Sequence, residues 1–461
     1  VTSREPAAGT AGDVPAGAAA TPTTAPSGRN RYVDLLRLAA IVVVVLGHWL
    51  NTTIRIEDGY PIGESALGAS SYMRWFTLLL QIMPLFFLAG GFAAAASWTS
   101  WQRRGGRWPG WVYGRLDRLL RPTSFYVAAM AAAAVVAWLL GAEPSVLDQA
   151  GWGVALQLWF LAAYLPLLVL AVPILAAWTR FGWLVLIVAV AVVAVLDVLG
   201  RVVEVPGVRW LSLLIVPAAG FMLGMSWRDG AFARRWVPAA MLVVGVVSLL
   251  ILIHGFGYPP WMIGVPGEPP ANTNPPNLAL MAYASAQLGI VLLLEGPARR
   301  FLERPRAWAV VVRGNSVIMT LYLWHMVPVI IVGALIAVLG LPTGPVTGTA
   351  GWWLLRILWY LVLGLLLLGL IRVLGRFERP GPPRPDLAGW VSSALLVACT
   401  ALTAFALTRL ALDGFAPDGR PAFTPLLAYA AGVAAMWVAG RPGAAEGSRW
   451  VGISVEREPP R

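Results

Sequence analysis

Twelve apolar runs of about twenty residues, separated by short segments carrying arginine, proline or glycine, constrain this chain more than any other feature. Held as an α-helix, a run of that length crosses a hydrocarbon core of about 30 Å and satisfies its own backbone N–H and C=O groups, as a backbone in lipid must. The sequence therefore reads as an all-α polytopic membrane protein. The spans fall at 34–51, 73–98, 122–141, 153–177, 182–200, 208–227, 235–254, 277–295, 313–340, 351–373, 388–411 and 423–440. With 58% hydrophobic and 12% charged residues, there is no segment that would bury a soluble core of its own.

The basic residues supply a check on this count. All 34 are arginine, and most sit in alternate connections: Arg103, Arg104, Arg107, Arg115, Arg118 and Arg121; Arg180; Arg228, Arg234 and Arg235; Arg299, Arg300, Arg304, Arg306 and Arg313; Arg372, Arg376, Arg379 and Arg384. The other side holds a scattered few, such as Arg55, Arg74, Arg201, Arg209, Arg409 and Arg420. A missed span would scramble this asymmetry, which predicts both termini in the cytoplasm. The net charge of +12 is thus a topology signal, with no nucleic-acid partner expected. With no lysine in the chain, a Walker A loop, a Schiff base and a lysine nucleophile are excluded. The only cysteine, Cys399, lies in an apolar run and reads as a core residue, so no disulfide or cysteine metal cluster is expected.

Residues 1–28, rich in Ala, Pro, Gly and Thr, read as a disordered cytoplasmic tail without a signal-peptide pattern. Residues 29–377 form the membrane domain. Residues 378–440 comprise a proline-rich linker, ERPGPPRPDL, and two further helices that read as an appendage to a ten-helix body; 441–461 is a second cytoplasmic tail. The longest outer connection, 255–276, is too rich in proline and glycine for a regular helix and is placed to cap a cavity.

Chemistry concentrates in four stretches. The first span, RYVDLLRLAAIVVVVLGHWL, carries Asp34, Arg37 and His48; Arg37 and His48 share a face, because eleven residues return to within about 20°, yet stand about 16 Å apart in depth. Ionisable groups inside a span face the protein interior or a water-filled cavity and mark functional sites. The run RLDRLLRP, 115–122, sets Arg115, Arg118 and Arg121 on a stripe suited to a polyanion such as a diphosphate, as well as to lipid headgroups. LWFLAAYLP, 158–166, brings Trp159 into the membrane. LYLWHMVP, 321–328, places His325 in the ninth span, twelve residues from Arg313, at a height matched to His48, so that the two imidazoles can meet across one cavity. The third histidine, His254, reads as a loop residue.

In this order and spacing, RYVDLLRLAAIVVVVLGH, PLFFLAGGF (84–92), RLDRLLRP, LWFLAAYLP and LYLWH resemble the acyltransferase-3 family of bacterial integral-membrane acyltransferases, over roughly residues 30 to 375. The resemblance implies transfer of an acyl group, often acetyl, from cytoplasmic acyl-CoA to a hydroxyl of an extracytoplasmic glycan, glycolipid or secondary metabolite, in the bacterial inner membrane. It implies no tightly bound cofactor, and it makes Arg37, His48, Arg115 and Arg118 necessary for activity, with Arg121 at the same spacing one turn on. The sequence departs in having Ala89-Gly90-Gly91 where many relatives have Ser-Gly, and in its two extra helices. A thioester is already activated, so a base for the acceptor hydroxyl and stabilisation of the oxyanion suffice. His48 is the candidate base, with Arg37 and His325 as further catalytic residues, Arg115, Arg118 and Arg121 for the donor, and Asp34, Trp159 and Tyr322 for the substrate. No G-x-S-x-G elbow is present for a serine acyl-enzyme. The alternative is a secondary transporter or flippase using Arg37, His48 and His325 as a proton or substrate pathway.

Overall fold

The computed structural model describes residues 30–375, 387 and 389–440. The two tails and most of the proline-rich linker lie outside the described residues. Among the described residues ten helices are long and apolar enough to cross a membrane, a bent pair over Leu278–Leu293 and Glu295–Phe301 makes an eleventh, and the shorter apolar helix Phe423–Ala439 completes the expected set. The protein is an all-α polytopic membrane protein.

The first helix, α1 (Arg31–Asn51), runs unbroken through Asp34, Arg37 and His48; the Asn30 side chain caps it by accepting from the Tyr32 N–H at 3.0 Å. Its far end leads into a hairpin of β1 (Thr52–Glu57) and β2 (Tyr60–Ser65), the only sheet among the described residues, and one that the apolar pattern did not signal. A short α2 (Phe76–Leu80) precedes α3 (Met83–Gln102). The next helix, α4 (Trp108–Leu139), begins well before the predicted third span, so RLDRLLRP lies inside a helix instead of ahead of one, with Pro122 in the interior.

The predicted span 73–98 is thus broken at residues 81–82, and two others are broken as well. In place of 153–177 there are α5 (Pro144–Ala155), α6 (Leu158–Val169) and α7 (Ala171–Phe181). After α8 (Trp183–Arg201), α9 (Ser212–Arg228), α10 (Trp236–Phe256), α11 (Leu278–Leu293) and α12 (Glu295–Phe301), the predicted span 313–340 divides into α13 (Pro305–Ser316), α14 (Ile318–Trp324) and α15 (Val327–Val338). Pro328 has no N–H to offer the Trp324 carbonyl and its ring crowds that group, which favours a break at His325–Met326. The last helices are α16 (Ala350–Leu374), α17 (Trp390–Asp413) and α18 (Phe423–Ala439).

Small residues set the closest helix contacts, as bundles in lipid require. A Cβ on Gly224 of α9 would sit 1.9 Å from the Leu88 carbonyl oxygen, and one on Gly91 of α3 would sit 1.7 Å from that of Phe221. Gly91 and Gly224 are therefore the points where α3 and α9 touch backbone to backbone.

The extra helices are no appendage. Leu396, Leu407 and Leu410 of α17, with Phe415 just beyond it, are fully buried in the same core as Trp111, Tyr126 and Leu165. The Phe415 N–H donates to the Gly151 carbonyl at 3.2 Å, and Gln149 in the same helix bonds Gly63 of the hairpin at 2.8 Å. The far end of α17 thus lies on the hairpin face, with that of α1.

The candidate acyl-transfer site

His48 and His325 meet. The Nδ1 of His48 lies 2.8 Å from Nε2 of His325 across 277 residues of sequence. The route by which the helices achieve this differs from the expectation: Arg313 belongs to a separate helix, so no continuous rise joins it to His325. His325 instead caps α14 at the break before Pro328, fully buried, with Nδ1 2.8 Å from the Tyr322 carbonyl oxygen.

That carbonyl fixes the protons. An oxygen of this kind only accepts, so His325 carries hydrogen on Nδ1, and Nε2 of the neutral ring is an acceptor. The facing Nδ1 of His48 must then be the donor. In the neutral dyad Nε2 of His48 is left with a free lone pair, which is the atom a base needs.

Other groups hold this end of α1 rigidly. Trp49 Nε1 donates to the His325 carbonyl at 2.7 Å, and Trp359 Nε1 to the Trp49 carbonyl at 2.9 Å. Arg356, buried between Trp352 and Trp359, donates to the Trp49 and Thr52 carbonyls at 3.3 and 2.9 Å and to Thr53 Oγ1 at 2.8 Å. A cation on the last carbonyls of a helix satisfies acceptors that the helix cannot. Arg356 stands in a long apolar run, and that placement was the signal by which the sequence could have disclosed it.

His48 lines a cavity of about 1600 Å3. The same cavity is lined by Gly47, Asn51, Gln81, Gln157, Trp159 and Tyr322, while His325 stands behind its wall. Gln157 sits at the α5–α6 break and is buried; its Nε2 donates to Tyr126 Oη at 2.8 Å and to the Leu323 carbonyl at 2.9 Å, and its backbone carbonyl accepts from Tyr322 Oη. Its Oε1 has no protein partner. As a neutral residue in an apolar stretch Gln157 gave the sequence reading nothing to notice. Trp159 is 38% exposed at the rim.

The loop 257–277 covers the cavity as expected, with Ile263, Thr273, Asn274 and Pro276 in its lining. It is tied down at both ends by the buried Asp197, whose Oδ2 accepts from Tyr258 Oη at 2.9 Å and from the Leu278 N–H at 2.8 Å. Burial, and after it the Asp197 carboxylate, push the Tyr258 phenol upward, so that it stays a donor.

Nearer the arginine-rich face, the Tyr164 ring lies against Gly90 of α3. Tyr164 belongs to the LWFLAAYLP stretch, from which only Trp159 was singled out. Arg115 donates to the Ala93 carbonyl at 3.3 Å. Arg118 is exposed, and Arg121 is paired with Asp117 at 2.8 Å. Asp34 is buried, and its backbone carbonyl accepts from Asn315 Nδ2 at 2.9 Å. His254 is exposed in the last turn of α10, away from the dyad.

The described residues hold no cluster of three or more His, Cys, Asp or Glu that suits a metal ion. The arrangement offers a proton acceptor in a largely apolar chamber at one depth and two arginines at another. No curated protein matches the chain significantly, and no solved structure does. The profile described as an acyltransferase domain, that of the acyltransferase-3 family, matches residues 30–376, three quarters of the chain, and the protein accordingly belongs to the acyltransferase-3 family of membrane acyltransferases.

Proposed function

We propose that the protein is an O-acyltransferase that moves an acyl group, acetyl foremost, from acyl-CoA to a hydroxyl, with His48 as general base. The observation that supports this most is the hydrogen-bonded chain from the Tyr322 carbonyl through His325 to His48, which leaves Nε2 of His48 basic on the cavity side of the dyad. The acceptor oxygen attacks the thioester carbonyl carbon as His48 takes its proton. The tetrahedral intermediate collapses with cleavage of the C–S bond, and the imidazolium returns the proton to the departing CoA thiolate. His325 accepts the hydrogen bond of the imidazolium throughout and keeps the ring from turning.

The donor enters from the arginine-rich face, which this reading makes cytoplasmic. Arg37 and Arg115 hold the CoA phosphates through charge-assisted hydrogen bonds, with Arg118 and Arg121 further along α4. The pantetheine arm then covers the depth of about 16 Å from Arg37 to His48. The enzyme resides in the bacterial inner membrane with both termini in the cytoplasm.

Purified protein in detergent, supplied with radiolabelled acetyl-CoA and a panel of hydroxyl acceptors, should form an acetyl ester in a CoA-dependent manner, which a transporter would not. His48→Ala should lower kcat by about 10² to 10⁴ with little change in the KM for acetyl-CoA. Near-normal turnover in a folded His48→Ala protein would remove histidine base catalysis from the account.

A further inference from the structure

The cavity opens sideways. Several of the side chains that line it are also well exposed: Trp159 of α6, Ile187 of α8, Leu214 of α9, Val244 of α10, and Phe405 and Leu412 of α17 are each at least 38% exposed. In a spanning bundle such apolar positions face hydrocarbon. An acceptor arriving from water as a free sugar would surrender the hydration of every hydroxyl to a wall with few polar groups, at a cost that the wall cannot return. An amphiphile keeps its chain in hydrocarbon and brings only its headgroup to the dyad.

One side of this opening is built by a helix outside the acyltransferase domain. The domain ends at residue 376, yet Ala404, Phe405, Thr408 and Leu412 of α17 line the cavity. Residues 405, 408 and 412 fall on one helical face, and Leu407 and Leu410 lock the other into the core. Leu412 lies in the last turn of α17 as His48 does in that of α1, and both turns are on the hairpin face.

We propose that α17 and α6, packed on one another, form one flank of a side entrance for a hydroxyl-bearing amphiphile held in the leaflet on the hairpin face. Its hydrocarbon lies against Phe405, Thr408 and Leu412 while its headgroup hydroxyl reaches His48. The fate of that hydroxyl rests on the acyl-transfer reading; the binding does not.

The test uses the full chain in phospholipid nanodiscs and, as probe, dodecyl β-D-glucoside carrying a diazirine at the chain end. Photolabel mapped by mass spectrometry should fall on 404–412 and 159–166 and be displaced by unlabelled dodecyl glucoside but not by glucose. Thr408→Trp should lower labelling by about tenfold, and Leu361→Trp, on a helix that does not line the cavity, should leave it intact. With acetyl-CoA, dodecyl glucoside should be acetylated with kcat/KM at least about 100-fold above glucose, as burial of such a chain requires. Label no denser on α17 than on α16, no residue of which lines the cavity, or equal use of glucose, would overturn the side entrance. The expected labelling without transfer to either acceptor would support the entrance and sink the acyl-transfer reading instead; if Thr408→Trp does not fold, the wild-type label map decides.

Discussion

His325 stands behind the cavity wall, so its part in proton transfer runs through His48. It is a positioning residue, and its effect should depend on whether its replacement can still accept the His48 Nδ1 hydrogen. His325→Ala should lower kcat by about 10²-fold, because the free ring no longer holds one tautomer. His325→Gln, whose Oε1 can accept, should recover most of that loss, with the KM for acyl-CoA unchanged in both. A merely structural role would make the two variants equally poor. In the wild type, kcat/KM should rise with pH and level off once the dyad is neutral, because a protonated His48 cannot accept the acceptor's proton. Both histidines were legible in the sequence, as two of the three in the chain, each in an apolar run. The hydrogen-bond order between them was not, since it depends on the Tyr322 carbonyl and on a break in the helix.

At the scale of the element, α4 corrects a stripe into a spiral. Residues three apart on a helix advance about 300°, so Arg115, Arg118 and Arg121 turn through about 120°. The structure gives each a separate setting: Arg115 on the Ala93 carbonyl of α3, Arg118 outward, Arg121 on Asp117. Arg115→Ala should therefore raise the KM for acyl-CoA by the equivalent of about 1.5–3 kcal/mol, and Arg121→Ala by less. Steady-state kinetics on folded protein decide it, and an unchanged KM for Arg115→Ala would move the donor phosphates elsewhere. Span existence was readable from hydrophobicity alone. Breaks were not, although Gly314-Asn315-Ser316 is turn composition and Pro328 a helix breaker, because an apolar run outweighs both in a hydropathy reading.

For the whole molecule, the arginine asymmetry yields a topology that reporters can check. A fusion after Arg104 should report the cytoplasm and one within 262–272 the exterior; the reverse result would overturn the orientation. Four of the minority-face arginines, Arg55, Arg74, Arg209 and Arg409, each pair with a carboxylate, which lowers the free positive charge of that face further. The composition of α17 and α18 marked them as spans but could not say what they touch, and the core they share with α4 and α6 had to be seen in three dimensions.

The 277 residues between the two members of the dyad also bear on how the protein is made. At a synthesis rate of about 5–20 residues per second, α1 waits roughly 14 to 55 s for α14 to leave the ribosome. Over that interval α1 already has α3 beside it, but His48 lacks the imidazole it finally meets. The nascent first span must either stay sheltered beside the insertion machinery or lie tilted at the interface until the later helices arrive, and assembly of the site becomes one of the last events in the birth of the chain.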